Sequence, residues 1–216
     1  MKKEMVIKNT QDYVKSLCYG ETTGHDWWHV LRVRNTAIKI AEIENADLEI
    51  VELSALLHDV DDWKFKEKSE ANEGIAEKWL KKNKIPAKKI ELILEIIECV
   101  SFKGSGVETP MRTIEGKIVQ DADRLDAMGA VGIARTFAYG GSRKRELYNP
   151  EEKPEIHSSF EDYKKSKSHT INHFYEKLLL LKDRMNTETA KKMAESRHSF
   201  MLEYLNRFLE EWEGRD

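Results

Sequence analysis

The chain has 216 residues, 40% hydrophobic and 35% charged, which suits one medium domain, or one domain with an appended subdomain, with a core and a solvated surface. A formal net charge of −3 provides no basic field for nucleic acid or an anionic membrane. No apolar run has membrane-spanning length, the start MKKEMVIKNTQDYVKS lacks the apolar core of a signal peptide, and Cys18 and Cys99 occur in unrelated contexts, so a cytoplasmic chain with reduced thiols is expected.

Helical spacing recurs along the sequence, and no convincing alternating strand pattern is found. TTGHDWWHV, residues 22–30, crowds His25, Asp26, Trp27, Trp28 and His29 together just ahead of a stripe formed by His29, Val33, Ala37, Ile40 and Ala41. Asp47 can cap the next helix, LEIVELSALLHDV. Ser69 can cap EANEGIAEKWLKKN, with Ile75 and Trp79 on one face, and Pro86 suits the first turn of AKKIELILEIIECVSF. KGSGVETPMRT, 103–113, reads as irregular. Residues 117–137, KIVQDADRLDAMGAVGIARTF, read as one helix. A long segment, 139–159, follows with the basic run Arg143, Lys144, Arg145; it is either a lid or binding loop or a mobile surface loop. Ser159 and Asp162 resemble a capping box for a helix at 160–182, and Thr187 can cap a last helix ending near Trp212. One domain over 1–216 is expected, with its core at about 20–138, the basic loop at 139–159 and a C-terminal helical hairpin at 160–216.

Several polar groups sit where a core helix should be apolar. His58 and Asp59 follow Ala55, Leu56 and Leu57 directly. Burying such a pair costs several kcal/mol unless something pairs with it, and a divalent cation is one such partner. The alternative is a helix end that turns into solvent. In DADRLD, Asp123 and Asp126 are three apart and share a face, whereas Asp121 points elsewhere. The stretch is not a calcium loop, because its sixth position is not glycine. His29, His58, Asp59 and Asp123 thus form an N, N, O, O donor set on separate predicted helices, which leaves coordination positions open for water and a phosphate.

These residues resemble the H…HD…D pattern of the HD-domain phosphohydrolase superfamily. His29 lies within HDWWHVLRV, His58 and Asp59 within LLHDV, and Asp123 within DADRL, which is similar to the ADRL of stringent-response alarmone hydrolases. SFKG, DADRLDAMGAVGIARTF and TINHFYEKLLLLKDRMNTETAKK resemble the small bacterial YedJ/YpgQ-like subgroup along most of the chain. The resemblance implies an all-α HD-domain helical bundle, a single divalent metal and phosphohydrolase or pyrophosphohydrolase activity on nucleotides. No histidine occurs between His58 and His157, so a second metal of the kind held by cyclic-dinucleotide phosphodiesterases is not expected.

Phosphoryl transfer needs charge neutralisation and positioning. Lys64 and Lys103 are the candidate catalytic cations, with Lys103, Arg124, Arg135, Arg143 and Arg145 as candidate phosphate partners. Asp62 is the candidate water-orienting base. Asp26, His25 and Asp126 are candidates to support the ligands from behind, Asp26 by capping the helix or orienting His29. Trp27 and Trp28 are expected in the core rather than as a base-stacking shelf. His169 and His173, four apart, read as a surface pair. The expected activity is cleavage of (deoxy)nucleoside triphosphates to monophosphate and pyrophosphate. The alternatives are a 5′-nucleotidase or alarmone hydrolase of the same fold, or a non-catalytic metal- or nucleotide-binding module. Mn²⁺ or Mg²⁺ is the favoured ion, with Fe²⁺, Co²⁺, Ni²⁺ and Zn²⁺ open. The partner is a nucleotide rather than nucleic acid or membrane, and a homodimer stays open.

Overall fold

A computed structural model describes residues 2–20, 26–61, 74–101, 107, 109–155 and 168–215. Among the described residues there are nine α-helices, one 3-10 helix and no strand, an all-α fold. No helix there is long and apolar enough to cross a membrane. Cys18 is buried and Cys99 half-buried. The chain forms two compact units, one of residues 1–102 and 109–122, the other of residues 103–108 and 123–216.

The first unit is organised on α3 (Leu48–Leu57), whose Ile50, Val51, Leu53, Ser54, Ala55, Leu56 and Leu57 are all buried. A helix apolar on nearly every side belongs at the centre of its bundle. Accordingly α1 (Lys2–Leu17), α2 (Trp27–Glu44) and α5 (Ala87–Val100) all pack on it, while α4 (Ile75–Lys82) packs on α5. The Asp47 carboxylate accepts the Glu49 and Ile50 amides at 2.9 and 3.3 Å and starts α3. Pro86 stands just before α5, where its fixed φ and missing N–H cost nothing. The stripe expected on α2 is buried, from His29 and Val33 to Ala37, Ile40 and Ala41. Helix α1 is not among the helices expected from the sequence; its Tyr13 stacks flat on Trp79 at 3.9 Å.

The single helix expected over 117–137 is two: α6 (Ile114–Asp126) and α7 (Gly129–Ser142). Gly129 adopts φ +71°, which ends the right-handed run. A Cβ on Gly132 would lie 2.2 Å from the Ala127 carbonyl oxygen, so the second glycine admits the returning backbone. Helix α7 also runs through Gly140 and Gly141 to Ser142, shortening the irregular segment expected from 139.

In the second unit the expected helix at 160–182 is broken. Its described part is α8 (Asn172–Glu176) and a 3-10 helix (Leu178–Arg184), separated by Lys177 at φ −141°, ψ −61°. Ser159 and Asp162 lie outside the described residues. Helix α9 (Glu188–Trp212) begins where the Thr187 hydroxyl accepts the Ala190 amide at 3.2 Å, and packs on α7 and the 3-10 helix. Rings from separate segments close this core: Phe137 lies 6.1 Å from Phe174, and Phe174 6.1 Å from Tyr204.

Candidate metal centre

The N-terminus of α2 positions the first ligand candidate. Asp26 caps the helix by accepting the amide of His29 itself at 2.8 Å, so the cap fixes the backbone that carries the imidazole. The His29 side chain points into the core and is 0% exposed. His58 follows the last residue of α3 and Asp59 the next position, in a tight turn where the Val60 amide reaches the Leu57 carbonyl at 3.2 Å. The expected helix LEIVELSALLHDV therefore stops immediately before the doublet. His58 is 5% and Asp59 8% exposed, so the reading of a helix end turned into solvent does not hold.

His58 Nδ1 lies 2.8 Å from the Ala55 carbonyl oxygen. A carbonyl accepts only, so Nδ1 carries a proton and faces the helix, leaving Nε2 to face away from it. That atom lies 3.3 Å from His29 Nε2, and Asp59 Oδ2 lies 3.4 Å from each of the two nitrogens. Ligand bonds of about 2.0–2.2 Å at near-tetrahedral angles hold neighbouring donors about 3.4 Å apart. The donor chemistry fits as well, with two imidazoles, one carboxylate and the backbone hydrogen bond that typically fixes the tautomer of a ligating histidine. His29, His58 and Asp59 can therefore hold a divalent ion.

The other sequence candidates are placed as follows. Asp123 stands half-buried in the last turn of α6. Asp126 is buried and accepts from Arg135 Nη1 at 2.8 Å, so these two candidates pair with each other. Arg124 is buried too, and its Nη1 donates to the Arg184 carbonyl. The guanidinium carbons of Arg143 and Arg145 lie 5.3 and 5.8 Å from the Tyr139 ring. His25, Asp62, Lys64 and Lys103 lie outside the described residues, as does His157.

Two expectations are corrected. Trp28 is 60% exposed, because it lies on the outer side of α2 while its neighbour His29 points inward. His169 and His173 are not a surface pair. His169 is 2% exposed, its Nδ1 accepts the Asn172 amide at 3.2 Å, and burial pushes the His173 imidazole down to about 3.

Asp61 and Gln120 carry no signal of their own in the sequence that marks their roles. Asp61 accepts the amides of Ile75 and Ala76 at 2.6 and 3.1 Å, fourteen and fifteen residues on. Gln120 donates from its amide nitrogen to the carbonyls of Cys99 and Thr109 at 3.0 and 2.9 Å. Both bonds join distant segments and leave no short-range pattern. The only local sign for Asp61 is Gly74, a helix start without a capping side chain of its own.

The HD domain family matches residues 27–128. YpgQ of Bacillus subtilis is 38% identical over 218 residues, which cover 100% of this chain and 98% of YpgQ. The crystal structure of Bacillus subtilis YpgQ in complex with ADP matches with a TM-score of 0.77 and 38% identity, covering 98% of this chain and 96% of that one. An HD-superfamily hydrolase from Bacillus thuringiensis matches with a TM-score of 0.76 and 41% identity, over 98% of both chains. A Lactobacillus plantarum protein matches with a TM-score of 0.86 and 35% identity, again over 98% of both. With a buried imidazole–carboxylate cluster at the H and HD positions and relatives matched over nearly their whole length, the chain belongs to the HD-domain superfamily of metal-dependent phosphohydrolases.

Proposed function

We propose that the chain hydrolyses (deoxy)nucleoside triphosphates to the nucleoside monophosphate and pyrophosphate. The observation that carries this reading is the buried convergence of His29 Nε2, His58 Nε2 and Asp59 Oδ2 within 3.4 Å of one another. YpgQ crystallised with ADP supports a nucleotide as the ligand class. The basic run at 143–145 supports a polyphosphate.

His29, His58 and Asp59 hold the ion, with Asp123 the fourth ligand by its place in the sequence pattern. We take Mn²⁺ or Mg²⁺ as the ion because the carboxylates and water suit both, while the two imidazoles keep Fe²⁺, Co²⁺, Ni²⁺ and Zn²⁺ open. A divalent ion bound there supplies Lewis-acid charge beside the phosphoryl group and lowers the pKa of water. Asp62 orients the attacking water and accepts its proton. The water oxygen bonds to the α-phosphorus as the bond from that phosphorus to the bridging oxygen breaks, and pyrophosphate departs with the electron pair. Lys64, Lys103, Arg143 and Arg145 neutralise the phosphates. Arg135 and Arg124 serve the framework, through Asp126 and the Arg184 carbonyl.

The test is product analysis with Mn²⁺ across a panel of nucleotides. Phosphate should appear from triphosphates only after inorganic pyrophosphatase is added, and monophosphates should be inert. Direct release of orthophosphate, a preference for monophosphates or alarmones, or binding without turnover would each overturn this assignment in favour of another reaction on the same fold.

A further inference from the structure

We propose that Asp61 is a positioning residue for the metal centre: its carboxylate, fastened to the first amides of α4, fixes the backbone that carries the ligand Asp59. This rests on the metal-site reading above and extends it to a residue that makes no contact with the ion.

The turn holding Asp59 is pinned on both sides. On the N-terminal side, His58 is tied to the Ala55 carbonyl at 2.8 Å, and the Val60 amide to Leu57 at 3.2 Å. On the C-terminal side, Asp61 Oδ1 accepts from Ile75 at 2.6 Å and Oδ2 from Ala76 at 3.1 Å. One carboxylate thus satisfies two of the orphan amides at the positive end of α4, a charge-assisted arrangement that a neutral cap cannot match. Gly74 makes room for it, since a Cβ there would meet Asp61 Oδ2 at 2.8 Å and Oδ1 at 3.0 Å. The capping side chain comes from Asp61, whereas Gly74 caps with none of its own.

Helix α4 is a firm anchor. It packs on α5. Its Trp79 stacks on Tyr13 with an interplanar angle of 5°, and Nε1 donates to Thr10 Oγ1 at 2.9 Å. Val60, between Asp59 and Asp61, is 3% exposed, so the turn is also held from within. Releasing Asp61 lets Asp59 move relative to His29 and His58, and outer partners that orient ligands typically set metal affinity by ten- to a hundredfold.

Isothermal titration with Mn²⁺ alone, on the full chain below its melting temperature, tests the role. Asp61→Ala should weaken Mn²⁺ binding about tenfold. Gly74→Ala, which crowds the carboxylate while leaving it in place, should weaken it in the same direction. Asp61→Asn, which keeps the acceptor for Ile75 but loses the charge and turns its NH₂ towards the Ala76 amide, should recover only part of the affinity. Thr10→Val loosens α4 at its far side and should lower the melting temperature with the Mn²⁺ affinity unchanged. If Asp61→Ala and Gly74→Ala bind Mn²⁺ like the wild type and merely melt earlier, Asp61 is a helix cap and nothing more. Equal loss of affinity in Thr10→Val would also overturn the proposal, since affinity would then follow stability. Should Asp61→Ala not fold, Gly74→Ala and Asp61→Asn decide. Wild-type protein that takes up no Mn²⁺ overturns the metal-site reading itself, a failure visible without any substitution.

Discussion

Asp59→Asn is the most direct probe of the metal centre, because it keeps the side-chain volume and one carbonyl oxygen while removing the charge. An ion that binds only the native state stabilises it by RT ln(1 + [M]/Kd), about 2.7 kcal/mol at one hundred times Kd. With an unfolding entropy of about 2.1 cal/mol/K per residue over 216 residues, that is a rise in melting temperature of about 6 °C. Asp59 Oδ2 lies 3.4 Å from both histidine nitrogens and is the one anionic donor of the three. Its neutralisation should weaken binding by no less than the ten- to hundredfold seen for outer hydrogen-bond partners. At the same Mn²⁺ concentration the stabilisation then falls to about 0.4–1.4 kcal/mol, a shift of about 1–3 °C. Scanning fluorimetry of both proteins, with Mn²⁺ and with EDTA, reads the two shifts directly. A full wild-type shift in Asp59→Asn would refute the convergence of these three donors on one ion.

Three further outcomes follow from the packing. Burial, with Lys177 and Arg145 nearby, lowers the His173 pKa from 6.5 to about 3. The unfolded chain therefore binds a proton that the native one refuses, and stability present above pH 6.5 is lost as the pH falls towards 3; urea titrations should show His173→Gln losing roughly 3 kcal/mol less than the wild type between pH 6.5 and 4. Gly132→Ala drives a methyl into the Ala127 carbonyl and should cost about 3 kcal/mol in urea unfolding, with a neutral result excluding the close approach. Thr187→Ala removes the α9 cap and should cost about 1 kcal/mol, seen as a melting temperature about 2–4 °C lower.

Much of this protein was written in short-range chemistry. The buried stripe of α2, the caps at Asp47 and Thr187 and the proline before α5 depend on residues within one or two turns, so helical periodicity and hydrogen-bonding side chains expose them. The metal donors were legible for a related reason, since an imidazole and a carboxylate side by side after Ala55, Leu56 and Leu57 are costly without a partner. Tertiary structure decided what no local pattern encodes. The helix break at Gly129 is inconspicuous in sequence because the turn relies on Ala127 approaching Gly132 closely. The burial of His169 comes from a segment whose composition is that of a surface helix. The link from Asp61 to Ile75 and Ala76 spans fourteen residues or more, and a hydrogen bond between distant segments has no periodicity to betray it. Composition and spacing thus set which residues want burial, capping or a cation, whereas only the folded chain could show that His29, His58 and Asp59 bring those demands to a single point.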